Sequence, residues 1–190
     1  MEMNLFVDKE TKVSADFSGI WYHGTLHKFD VFKPSVRDIG FHFGSLEQAK
    51  SRVAFYNPVN IKHYIMQVEL NCKSPLILYD DIFTGVPYTF LQKLYSEETV
   101  SSLGAPIFND EDYDILMGKW ESDFEESDYW YTNHDYNFYR DVENILISKG
   151  FDSIYYLNTH EGELTPNSYS WCVLKPEQIK IIKVEESIEP

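Results

Sequence analysis

A chain of 190 residues, 43% hydrophobic and 16% aromatic, is long enough for one domain with its own core and too apolar to be wholly disordered. Its 31 acidic residues against 16 basic ones give a formal charge of −15. That field repels phosphate backbones and argues against a broad nucleic-acid-binding surface, while a local basic patch stays open.

Residues 1–18 read as a loosely packed lead. Met1 to Ser14 has neither the basic n-region nor the apolar h-region of a signal peptide. No run approaches the length of a membrane span. The expectation is a cytoplasmic protein in which Cys72 and Cys172 are free, buried thiols rather than a disulfide. The acidity itself reads either as solubility or as mimicry of nucleic acid toward a basic partner.

Gly19 to Tyr22 predicts a short buried strand of aromatic and β-branched residues. His23 then stands at the strand's end. Gly24 lets the backbone come close to a ligand and leaves an N–H to donate, and Thr25 follows. Many small-ligand sites begin this way, although an ordinary capped turn has the same residues. Leu26 to Arg37 is a connection pinned by Phe29 and Phe32. His27 lies four residues after His23, the spacing of a helical metal pair, but Gly24 and Thr25 oppose helix and further ligands are lacking, so no metal is expected.

Gly40-Phe41-His42-Phe43-Gly44-Ser45 forms a strand-to-helix joint. Ser45-Leu46-Glu47-Gln48 is a capping box, followed by Leu46, Ala49, Val53 and Tyr56 at helical spacing and a stop at Pro58. Asn60 to Asn71 alternates as a strand with Tyr64, Met66, Val68 and Leu70 on one face. Leu76 to Tyr79 is a shorter strand, and Thr84 to Tyr95 a helix.

Residues 98–134 form an acidic, aromatic insert, with nine acidic residues and one lysine between Asp110 and Asp128. It reads either as helices with a solvated acidic face or as a lid or surface that chooses a target. Asp135 to Lys149 predicts an amphipathic helix striped by Tyr139, Val142, Ile145 and Leu146, with Gly150 at C′. Strands follow at Ser153 to Leu157, Tyr169 to Leu174 and Ile179 to Val184, with a turn at Lys175-Pro176-Glu177 and a frayed tail. No repeat or linker divides residues 1–190, and the pattern predicts one α+β domain with antiparallel or mixed sheets.

Taken together, the His23-Gly24-Thr25 strand, the Gly40-x-His42-Phe43-Gly44-Ser45 joint and Val173-x-x-Pro176-x-Gln178-Ile179-Lys180 resemble the NAD-dependent ADP-ribosyltransferases. The resemblance is to the poly(ADP-ribose)-polymerase-like branch, particularly the small domains of phage and bacterial polyvalent proteins. It spans roughly residues 19–57 and 148–183. It implies a split β-sandwich of two facing sheets with an NAD cleft between them, and a pentosyltransferase that moves ADP-ribose to a macromolecular, preferably protein, acceptor. The setting implied is the cytoplasm, that of the host if the protein is phage-encoded.

Cleavage of a nicotinamide–ribose bond leaves a ribosyl centre of oxocarbenium character, which calls for a carboxylate nearby and a grip on ring, amide and ribose. The resemblance assigns His23 to a ribose hydroxyl and Gly24 to the carboxamide. Thr25 then supports the loop or bonds the adenosine side. His42 stands where the branch has a tyrosine beside the nicotinamide, with Phe43 and Ser45 completing that motif, and is expected neutral when NAD binds. Counting back from Gln178, the family's glutamate position holds Ser170. Glu161 is the replacement carboxylate, with Glu163 in reserve. Arg52 and Arg37 are candidates for the pyrophosphate.

Two other functions fit less of the pattern. A catalytically inert interaction protein on the same fold would account for Ser170. An RNA 2′-phosphotransferase is disfavoured by the charge and by a second motif poor in arginine and histidine.

Overall fold

The computed structural model describes residues 19–34, 38–56, 62–78, 135–158, 161 and 168–188. The strands are β1 (Ile20–Thr25), β2 (Phe41–Phe43), β3 (Lys62–Leu70), β4 (Pro75–Leu78), β5 (Ser153–Leu157), β6 (Tyr169–Val173) and β7 (Ile179–Ile188). The helices are α1 (Leu46–Tyr56) and α2 (Asp135–Ser148), with a 3₁₀ turn at Pro176–Gln178. The protein is therefore α+β with two sheets. One sheet has the order β1-β3-β7 and is antiparallel; the other has the order β2-β6-β5-β4 and is mixed, its β4–β5 pair being parallel.

The two sheets face each other across one apolar layer. Met66 and Val68 of the first meet Phe41, Phe43, Trp171 and Val173 of the second, and Phe32 plugs the same layer. Alternation along each strand explains the choice, because every second side chain points to the same face. The sheets also touch edge to edge: Tyr22 N–H donates to the Gly44 carbonyl at 2.9 Å and Gly44 N–H to the Tyr22 carbonyl at 3.0 Å. This bridge joins the two glycine-bearing motifs.

On the far side of the first sheet, Ala49 and Val53 of α1 cover Ile65, with Tyr22, Leu26 and Leu46 around them. The helix starts where its capping box requires. Ser45 N–H donates to Gln48 Oε1 at 2.7 Å and Gln48 N–H donates to Ser45 Oγ at 3.1 Å. At the other end of the chain, Gly150 takes φ +90 just beyond α2, the left-handed geometry that closes a helix.

Three elements depart from expectation. β1 runs on through Thr25, so His23 lies within the strand and not at its end. β3 does not bury one face only: Met66 and Val68 are buried toward the second sheet, while Ile65 is buried beneath α1. A central strand covered on both sides loses its simple alternation. β7 continues to Ile188 by pairing with β3 as far as Lys62, where a frayed tail was expected. Cys72 and Cys172 are free, but only Cys172 is buried. The lead, the Thr84 to Tyr95 helix and the 98–134 insert lie outside the described residues. Among those described, no helix is long and apolar enough to cross a membrane.

Candidate functional site

His23 faces the layer between the sheets. Its ring lies 5.2 Å from Phe32, 5.7 Å from Phe43 and 6.1 Å from Phe29, centre to centre. Nδ1 is 2.9 Å from the His42 carbonyl. A carbonyl only accepts, so Nδ1 carries the proton. Burial drives the imidazole pKa down to about 4, against a smaller upward pull from that carbonyl. At neutral pH His23 is uncharged, and its Nε2 presents a lone pair.

Gly24 has two roles that its sequence shows only in part. A Cβ there would stand 2.1 Å from the Ala49 carbonyl oxygen and 2.7 Å from Val53 Cγ2, so the residue is small because α1 crosses directly over it. A close approach was expected, but of a ligand. The backbone still suits the expected donor role. Tyr22 directs its N–H and carbonyl to Gly44, and by antiparallel alternation Gly24 directs its own to the same outer edge of β1.

His42 occupies the opposite kind of surroundings. Its Nε2 donates to the Ile39 carbonyl at 2.9 Å and lies 3.4 Å from Asp38 Oδ1, and its Nδ1 shares a 3.3 Å hydrogen bond with the Tyr156 hydroxyl. Burial opposes a charge on this ring, yet Asp38 and, more weakly, Glu161 outweigh it and raise the pKa. The carboxylate four residues upstream thus favours the imidazolium, whereas the sequence led to the expectation of a neutral ring when NAD binds.

Glu161 is brought into the same neighbourhood by Asn158. The Asn158 amide donates to Glu161 Oε2 and to Ser170 Oγ, each at 3.0 Å, while its Oδ1 accepts the Glu161 N–H at 3.1 Å. The other carboxylate oxygen meets Arg52 Nη1 at 3.2 Å. Ser170 itself is 2% exposed on β6. Glu161 and Ser170 thus share one amide, although nine positions separate them in sequence.

The remaining assignments divide. Arg52 reaches the site through Glu161. Phe43 is 2% exposed and contributes by packing His23, leaving no surface for a ligand. Thr25 Oγ1 accepts the His27 N–H at 3.2 Å, the loop-supporting role, and Ser45 Oγ caps α1. Glu177 is exposed beyond β6. Arg37 and Glu163 lie outside the described residues. Sequence reasoning missed Asp38 and Tyr156, and took Asn158 only as part of the pattern around Glu161. For Asp38 the available signal was its place four residues before His42; the Asn-x-x-Glu spacing, already part of the case for Glu161, is that of a side-chain-stabilised turn. No group of three or more metal-binding side chains occurs among the described residues.

No family model matches the chain, and no curated protein matches it. The crystal structure of an anti-CRISPR protein is similar over 90% of this chain and 97% of its own, at 17% identity and a TM-score of 0.34. At that score the likeness carries no argument about fold or function.

Proposed function

We propose that this domain binds NAD as co-substrate between His23, Gly24 and His42 and transfers its ADP-ribose to a macromolecule, a protein side chain in the first instance, in the cytoplasm. The observation that carries the reading is the Asn158 amide that ties Glu161 to Ser170. It supplies a carboxylate beside the position where the resembled family keeps its glutamate. In such a transfer the nicotinamide leaves with the electron pair of its ribosyl bond, and the acceptor forms the new bond and gives up a proton.

Each residue then has a role its geometry permits. Neutral His23 accepts a hydrogen bond from a ribose hydroxyl through Nε2. The outward Gly24 N–H holds an amide oxygen. Glu161 faces the positive charge that grows on the ribosyl carbon. Asp38 offsets the charge of His42, so a cationic nicotinamide beside it meets a neutral pair instead of a bare imidazolium.

The inert interaction protein is the second reading, favoured by one observation: both Glu161 oxygens are already engaged, by Arg52 and Asn158. Incubation of cell lysate with the protein and labelled NAD, read by mass spectrometry, separates the two. Label on a protein side chain and released nicotinamide are expected. NAD that neither binds nor turns over would overturn the proposal in favour of the second reading.

A further inference from the structure

Position 143 lies on the buried side of α2, three residues from Leu146 and next to Val142, both of which are fully buried. Packing alone would place an apolar residue there. The chain places Glu143, 5% exposed. A buried carboxylate costs free energy unless its oxygens are paired, and both are. Oε1 accepts the Gly40 N–H at 2.8 Å, and Oε2 meets Arg140 Nη1 at 2.8 Å.

Gly40 is the pivot of the turn that seats His42. It takes φ +57, and a Cβ would stand 2.6 Å from the Val173 carbonyl oxygen and 2.7 Å from Cys172 Sγ. The turn is therefore pressed against β6. Just before it, the Ile39 carbonyl accepts from both His42 Nε2 at 2.9 Å and Cys172 Sγ at 3.1 Å, and Asp38 Oδ1 accepts the Ile39 N–H at 3.0 Å. Rotation of the Ile39–Gly40 peptide would withdraw the carbonyl that Nε2 and Sγ share and loosen the turn that carries Asp38.

We propose that Glu143 is a positioning residue for His42: by holding the Gly40 N–H it fixes the turn whose Ile39 carbonyl and Asp38 carboxylate seat the imidazole. The consequence for turnover rests on the proposed function, but the positioning does not. Around His42 stand Asp38 from its own turn, Tyr156 from β5, Cys172 opposite it on β6, Glu161 and Arg52. His23 reaches it from β1 through the backbone. The leading charges on the ring are those of Asp38, Glu161 and Arg52. Glu143 acts through the turn.

NMR titration of the His42 ring in the full chain tests this without NAD. Glu143→Met should lower the His42 midpoint and speed exchange of its Nε2 proton. Glu143→Gln keeps an acceptor for Gly40 and should hold both near wild type. The proposal is overturned if the Met variant changes neither reading, or if Gln shifts them as far as Met. Should Glu143→Met fail to fold, proton exchange in the unaltered chain decides. A common rate for Gly40 N–H and His42 Nε2–H supports the proposal, and a ring proton that exchanges while Gly40 stays protected overturns it. Absence of NAD turnover in the unaltered chain, with these results intact, would count against the proposed function alone.

Discussion

Two histidines joined by one hydrogen bond have their pKa values pushed in opposite directions. His23 sits among three phenylalanines and is held neutral by burial. The carbonyl of His42 accepts the hydrogen bond from His23, yet its ring faces Asp38, Tyr156 and the Glu161 side, where the charged form is favoured. Alternation along β2 separates the two regions: Phe43 points into the dry layer and His42 away from it. The protein thereby obtains a fixed acceptor and a charged network within one backbone bond of each other. The dry side suits recognition, and the charged side suits the stabilisation of a developing charge.

The largest effect should come from breaking the charged side at its carboxylate. Glu161→Gln preserves shape and removes the charge, and under the proposed function turnover should fall by roughly 10²–10³-fold. NAD affinity, measured by calorimetry, should survive, because the proposed function assigns recognition mainly to the His23 side. Equal losses of turnover and affinity would merge the two regions into one.

The dry side is probed by pH. The folded-state pKa of His23 is about 4 against an ordinary 6.5. Above pH 6.5 both folded and unfolded forms are neutral and no penalty exists. As pH falls from there toward 4, the unfolded chain takes up a proton that the folded chain refuses, and stability drops by about 3 kcal/mol across the interval. His23→Gln has no such group. Urea unfolding of the two proteins should therefore diverge as pH falls, with the wild type losing more. Parallel curves would mean that His23 is not held neutral.

Gly24→Ala tests the packing that both regions lean on. The added Cβ meets the Ala49 carbonyl at 2.1 Å, which is backbone and cannot swing aside. Overpacking of this kind typically costs 1–3 kcal/mol, roughly the range expected here. Gly19→Ala is the control, because its Cβ would find only the Trp21 ring, at 3.5 Å. Thermal unfolding should register the first change and stay within about 0.5 kcal/mol for the second.

Most of the fold was legible in the sequence because its signals are local. The capping box at Ser45 and Gln48, the stop at Gly150 and the Ser153 to Leu157 strand need only neighbouring residues to specify them. The sequence named residues that the structure brings near one another, but not the contacts between them. His23, Arg52 and Glu161 were named from motif order, whereas the charge on His42 depends on how the turn from Asp38 to Gly40 folds back. That turn in turn depends on Glu143, 103 residues away. Gly24 misled for a related reason, since a small residue reports a close approach without saying what approaches.

The smallest expected effect isolates the Asp38–His42 pair. Their side chains are 38% and 26% exposed, so solvent screens the interaction and its contribution should not exceed about 1 kcal/mol. Its sign with pH is nevertheless definite. Asp38 raises the His42 pKa, so while Asp38 is ionised the pair's stabilisation is present below the unfolded-state histidine value of 6.5 and is lost as pH rises through the folded-state value. Asp38 sets the acid limit of the same pair: burial opposes its ionisation, but His42 outweighs it and lowers its pKa, so the stabilisation is lost again as pH falls through that lowered value. Asp38→Asn keeps an acceptor for the Ile39 N–H, so the turn should persist while the charge disappears. The difference in unfolding free energy between wild type and variant should be larger at pH 6 than at pH 8.5. A difference independent of pH would show that Asp38 holds the turn by its hydrogen bond alone. The two histidines would then differ in burial but not in charge.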